Sequence, residues 1–378
     1  MTNISSQPAH TDDEGEPKTL VREQKMSFGT RSCSLVARGL SDLAALSNWR
    51  VRECFSNKRR WLCVSRTGKV ATHSMSDVAE VEIYDIEMAG ECLTMRMKAG
   101  DGEFVSQEGA IDPNAQNLLV ATAAQDGEPR ELLLLSLQTK TGLQIAPDAD
   151  YRVPSWSALG NYAVVSSSFR KAFLQLWRVV NNTLQYVSAL QFKSSSEYLL
   201  RCGSVAFDKK EQLVAVAAEV GSTAPNVLMH WDEIFLLNVP DLQIVRRIVP
   251  PDSVFSLSWS ANQEHLVLTG RHGRTYSLDI KSGESTLLPF SAALCCCHPT
   301  EDICAFVGMK HELADDGDSE RVKYIITIAR LSDLSILSEY EFENTTEVLD
   351  ACWSVDGDSF YAVSGSGQSY LYTVQGSP

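Results

Sequence analysis

The stretch CWSVDGDSFYAVSGSGQSYLYTV, Cys352 to Val374, reads as three short strands. CWS runs into the turn VDGD, FYAVS into GSGQ, and SYLYTV into QGSP. Gly, Asp and Ser clusters between the apolar runs mark the turns. A three-stranded antiparallel sheet with open edges is a poor independent unit and an aggregation hazard. A fourth strand is missing, and its source decides the fold.

The same pattern recurs upstream. An apolar strand ends in an anchor residue, a tight turn follows, and two further apolar strands come after it. WSANQEHLVLTGRHGRTYSLDIKSG begins at Trp259, CHPTEDICAFVG at Cys297 and FDKKEQLVAVAAEV at Phe207. WSALGNYAVVSSSFRKAFLQLWRV begins at Trp156, IDPNAQNLLVATAAQDGEPRELLLLSLQ at Ile111 and FSNKRRWLCVSRTG at Phe55. With Trp353, these anchors recur about every fifty residues, the spacing of a repeat architecture. Fourth strands follow as CLTMRM, LQYVSAL, QIVRRIV, STLLPF and ILSEYEF. Four short strands per unit predict an all-β fold, a seven-bladed β-propeller. The seventh blade lacks its last strand, so closure calls for one from the other end of the chain. CSLVARGL, Cys33–Leu40, is the segment expected to supply it. The expected organisation is a disordered acidic tail over 1–27 and a propeller over 28–378.

Bulk properties agree with a globular chain. The 378 residues are 44% hydrophobic and 21% charged, enough for a sizeable core. A net charge of -15 argues against general affinity for nucleic acid or anionic membrane and favours protein partners. No apolar run approaches the ~18 residues of a membrane span, and MTNISSQPAHTDDEGEPKTL lacks a signal-peptide core. Ten cysteines without framework spacing suit reduced thiols. The expected setting is cytoplasmic or nuclear, with the sequons at Asn3, Asn181 and Asn344 unused.

In rhythm the chain resembles the WD40-repeat family over roughly residues 33–374. Where that family often ends its third strand in Trp-Asp, this chain has Tyr84-Asp85, Leu135-Ser136, Trp177-Arg178, Leu237-Asn238, Leu278-Asp279, Ala329-Arg330 and Tyr372-Thr373. Only two of these keep the Asp, and no Gly-His pair precedes a blade, so the family's buried His–Asp network does not carry over. Trp231-Asp232 is a literal WD that precedes the expected third strand. ARGL before the first blade, GEF at the second and EYEF with VLDACWS at the last resemble the EARP and GARP complex-interacting proteins. That resemblance implies work with endosomal tethers in vesicle trafficking.

Candidate chemistry is sparse. In CCCH, Cys295 to His298, strand alternation sends Cys295 and Cys297 one way and Cys296 and His298 the other. No second ligand pair accompanies them, so buried cysteines fit better than zinc, and no metal or cofactor is expected. HELADDGDSE places Asp315 where a second His would complete H-E-x-x-H. Asp315, Asp316 and Asp318 lack EF-hand spacing and read as a solvated acidic loop. Basic residues gather in NWRVRECFSNKRRW, with Arg50 and Arg52 on one strand face and Lys58, Arg59 and Arg60 in the turn after it. They read as charges guarding a hairpin, or as a patch for an acidic partner. No G-x-S-x-G and no phosphate loop is present.

Loop length carries the functional signal. The first, fourth and sixth blades show long connections between second and third strands, over 67–79, 221–231 and 310–323. In propellers of this type these emerge on the face that also carries the links between blades, and a rigid scaffold presenting variable loops suits docking. Trp231, Asp315, Asp316, Asp318, Arg50, Arg52, Arg59 and Arg60 are the candidate partner contacts. The expected function is a non-catalytic scaffold in a multisubunit protein complex, without membrane insertion. The alternative is an enzyme or small-ligand binder using the central channel. Its inner strands offer mostly Ser, Ala, Cys and Val, with Arg50 and Arg52 as the charged exceptions.

Overall fold

The structure is a computed structural model that describes residues 49–53, 59–74, 80–86, 93–96, 104–124, 129–147, 153–167, 173–190, 197–222, 230–313, 320–342 and 348–374. These residues form seven four-stranded antiparallel sheets, each a blade of one ring. The inner strands of blades one to seven are Arg59–Val64, Phe104–Ile111, Val153–Trp156, Glu197–Phe207, Ser256–Trp259, Leu294–Cys297 and Val348–Trp353. Each inner strand touches the inner strand of a neighbouring blade, and blade one touches blade seven, which closes the ring.

The core is distributed among the seams between blades. Seven hydrophobic clusters are present, and each joins residues of two adjacent blades. Strand alternation explains this, because successive side chains face opposite neighbours. Leu266 and Leu268 pack toward blade four while Val267, between them, packs toward blade six. The seam between blades seven and one holds Leu62, Val64, Val70, Tyr361, Val363 and Leu371.

A repeated turn follows each inner strand. Ser65, Asp112, Ser157, Asp208, Ser260, His298 and Ser354 occupy its first position, and each accepts a backbone N–H two to five residues on through its side chain. In six of these turns the fourth residue is left-handed: Gly68, Ala115, Gly160, Glu211, Gln263 and Gly357. This is the physical content of the aromatic-Ser and Ile-Asp or Phe-Asp pairs in the sequence. Three anchors add a second device, an indole N–H donated to the carbonyl of the preceding inner strand. Trp156 bonds Ala110 at 2.8 Å, Trp259 bonds Ala206 at 2.9 Å and Trp353 bonds Cys296 at 2.9 Å.

The ring closes through a strand at its start, as expected, but through a different one. Trp49–Glu53 is the outermost strand of blade seven, pairing Trp49 with Tyr372 through to Glu53 with Gln368. Cys33–Leu40, the expected closing strand, lies outside the described residues, as does the 1–27 segment. The reason is a slip in blade one. Ser65–Gly68 makes the repeated turn, with the Ser65 Oγ accepting the Lys69 N–H at 3.0 Å and Gly68 at φ 71°. The anchor is therefore Val64, nine residues after Phe55, and the strand before it becomes free to close the ring.

Candidate functional site

In an antiparallel meander, the connections between second and third strands share a face with the links between blades. The turns described above lie on the opposite face. On the first face, blade six projects. In blade six the second and third strands, Ile303–Leu313 and Glu320–Arg330, pair along their full length. The inner strand reaches only to Leu294, opposite Val307, and the outer strand Ile336–Phe342 ends opposite Tyr324. Four pairs, Lys310 with Lys323 to Leu313 with Glu320, thus run beyond both neighbours as a two-stranded ribbon among the described residues. At ~3.4 Å per residue the ribbon stands out by about 14 Å. Gly308 lets it pass the blade link: a Cβ there would meet the Ser291 carbonyl oxygen at 2.0 Å.

These extensions correct the expected long loops. Residues 310–313 and 320–323 are strand, and so are 221–222 and 230–231. In blade one, 69–74 is the second strand Lys69–Ser74, so the expected connection over 67–79 shrinks to the residues after it. Asp315, Asp316 and Asp318 lie outside the described residues, between the ribbon's two strands.

Trp231 sits within the third strand of blade four, His230–Asn238, opposite Val220. It is half-buried and packs on the seam between blades three and four with Leu199 and Val220. Its indole N–H donates to Glu233 at 2.8 Å. Arg247 donates to the same carboxylate at 2.6 and 2.9 Å and to Glu197 at 2.9 Å, and lies over the Phe235 ring. These hydrogen bonds hold the Arg247 guanidinium protonated above its ordinary range.

The basic cluster is divided. Arg50 and Arg52 lie on the outermost strand of blade seven, opposite Leu371 and Ser369, not on an inner strand. Arg59 and Arg60 open the inner strand of blade one rather than filling a hairpin turn. Ring radius thus separates the two pairs by about three strand spacings, ~14 Å.

Two charged residues that sequence reading passed over line a cavity at the inner strands. A cavity of about 450 Å³ is lined by inner-strand residues of blades one, two, three and seven, including Ile111, Pro154 and Trp156, with Arg66 and Asp350. Arg66 donates from Nε to Trp353 O at 3.2 Å, and its terminal nitrogens reach Ser354 O and Ala158 O at 3.4 Å. It therefore ties the turn of blade one to those of blades seven and three. Asp350 accepts the Val64 N–H at 2.8 Å and the Ala351 N–H at 2.9 Å. Desolvation pushes its carboxyl up to about 6, against the lowering effect of those two bonds. Asp350 follows Leu349 in a strand that otherwise reads as apolar, and a lone acid in such a strand was the signal available.

The CCCH run alternates as expected. Cys295 and Cys297 face Ser256, Ser258 and Val267 of blade five, whereas the Cys296 thiol meets Ala351 O of blade seven at 3.1 Å. His298 Nε2 lies 2.9 Å from Gly357 O, and its ring meets Trp353 edge-on at 4.8 Å. Among the described residues no cluster of three or more His, Cys, Asp or Glu side chains could hold a metal ion. Nor is any helix among them long and apolar enough to cross a membrane.

No family model matches the chain, and no curated protein matches its sequence. Among solved structures it is similar to a chain in the crystal structure of the mitotic checkpoint complex, at 12% identity with a TM-score of 0.61. The match covers 90% of this chain and 100% of that one. At that identity the likeness is one of fold, the β-propeller.

Proposed function

We propose that this propeller is a non-catalytic, WD40-like scaffold that docks other proteins within a multisubunit assembly. The blade-six ribbon carries the reading, because its two strands run beyond both neighbours and, among the described residues, no strand pairs with their outer edges. The solved neighbour comes from a protein complex, which agrees with this use of the fold. The finer assignment to vesicle trafficking and endosomal tethering rests on the ARGL, GEF and EYEF–VLDACWS resemblance. The channel cavity favours a second reading, a small-ligand binder. Against it, Arg66 and Asp350 spend their polar atoms on backbone groups of neighbouring blades.

Two variants separate the readings. Replacing Asp315, Asp316 and Asp318 by Ser is expected to move stability by no more than ~0.5 kcal/mol and to slow partner association, with weaker salt dependence. Trp231→Ala is expected to lower the melting temperature, since its ring packs on the blade three–four seam. Thermal melts paired with pull-downs of purified partners check both. Wild-type binding by the triple-Ser variant would move the interface away from these three residues.

A further inference from the structure

The inner hairpin of blade six sets two cysteines face to face. Cys297 and Cys304 are direct partners in the antiparallel register. The adjacent His298 N–H donates to Ile303 O at 2.8 Å, whereas the Cys297 N–H leaves the pair and donates to Ser258 Oγ of blade five at 2.8 Å. Cys297 with Cys304 is therefore a non-hydrogen-bonded pair, the kind whose Cα atoms approach to about 4.5 Å and whose side chains lie closest. That separation falls inside the roughly 4.4–6.8 Å range that a disulfide spans, at its short end. Neither thiol is committed to a strong partner: the Cys304 thiol lies 3.6 Å from Ala305 O and the Cys297 thiol 4.0 Å from Ser258 O. Both belong to the seam between blades five and six. Their exposure differs: Cys304 is fully buried, while Cys297 is half-buried, one residue before a turn whose Glu301 and Asp302 are exposed.

We infer that Cys297 and Cys304 are a reversible cross-strand disulfide site, entered through Cys297 and completed by Cys304. The co-reactant is a low-molecular-weight disulfide such as oxidised glutathione. The Cys297 thiolate attacks one of its sulfurs, forming a mixed disulfide and releasing one glutathione thiolate. Cys304 then gives its proton to that base and attacks the Cys297 sulfur, expelling the second glutathione. Two cysteine thiols are oxidised and one glutathione disulfide is reduced to two thiols, so the step balances. Burial keeps the Cys304 thiol protonated well above its usual range, which leaves the first attack to Cys297. Reduced glutathione reverses the bridge by the same exchange run backwards, entering at the half-buried Cys297 sulfur, which makes the site reversible.

The test uses the full chain in glutathione buffers of rising oxidised-to-reduced ratio, with alkylation under denaturing conditions. Cleavage after Glu301 separates the two cysteines for mass spectrometry. The expected product is a disulfide linking the Cys297 fragment to the Cys304 fragment, fully reversed by reduced glutathione. Cys297→Ser, at a half-buried position, and Cys304→Ala should each abolish it. Alkylation of both residues at every ratio would overturn the inference. So would a mixed disulfide that stays on Cys297 while Cys304 is alkylated, or a bridge from Cys304 to Cys295 or Cys296.

Discussion

At position 357 a Cβ would fall 2.2 Å from the His298 ring, and the backbone there has φ 87°. The equivalent turn positions in blades two, four and five hold Ala115, Glu211 and Gln263 in left-handed conformation, so the backbone alone tolerates a side chain. Space decides. Gly357→Ala is expected to cost at least ~2 kcal/mol, by left-handed strain of roughly 1–2 kcal/mol plus displacement of a packed histidine. Gly160→Ala, whose nearest neighbour would be Pro113 at 3.5 Å, should cost only the backbone part. Urea midpoints of the two variants check this, and equal losses would remove His298 from the account. Asp350 gives a pH signature at the same scale. Its folded carboxyl titrates at about 6, above the unfolded value of ~3.9, so the folded state binds the proton more tightly. The stability this group contributes is present below about pH 4 and is lost as pH rises through about 6. Cys63, Cys296 and Cys352 are titratable groups that feel its charge, and Arg66 lies beside them as a neighbour of Cys352. Relative to Asp350→Asn, the wild type should lose stability between about pH 4 and pH 7. Parallel profiles would contradict the assignment.

Among elements, the closing strand shows what the sequence could and could not yield. Trp156, Trp259 and Trp353, each followed by Ser, are legible because one residue pair performs two tasks: an indole lock to the previous blade and a hydroxyl that caps the turn. Blade one hides the pattern, since Val64 replaces the aromatic anchor while Phe55 imitates it nine residues earlier. The capping Ser65 and left-handed Gly68 were the truer markers, because turn geometry is repeated where the anchor side chain is not. Projection of the blade-six hairpin beyond its sheet was legible only as excess length, which blades one and four also showed; in blade four the inner strand stays paired out to Glu197 opposite Ser222. Periodicity does not distinguish a long loop from a long hairpin until pairing is known. Truncation tests the corrected closure. Removing residues 1–40 should leave the melting temperature nearly unchanged, whereas removing 1–53 takes away the partner of Gln368–Thr373 and exposes an open edge. Aggregation on heating should appear only with the second truncation. Equal behaviour of the two would mean that Trp49–Glu53 does not close the ring.

The whole molecule is a ring in which every seam is apolar and the described charges of the channel are taken up in tying blades together. Such a body is stiff at its centre and free to vary at its faces, where loops and strand extensions can differ without disturbing the seams. The face opposite the repeated turns carries the blade-six ribbon, and on this account partner binding depends on it. The direct measurement replaces residues 310–323 by a tight turn and compares the shortened chain with the wild type, tagged and expressed at equal level. Melting temperature and quantitative mass spectrometry of co-purifying proteins are read together. A nearly unchanged melt is expected, because among the described residues no neighbouring strand pairs with the removed backbone and the Lys323–Glu341 ion pair lost with it is half-exposed, together with loss of the stoichiometric partners held by the wild type. An identical partner set on the shortened, folded chain would contradict it.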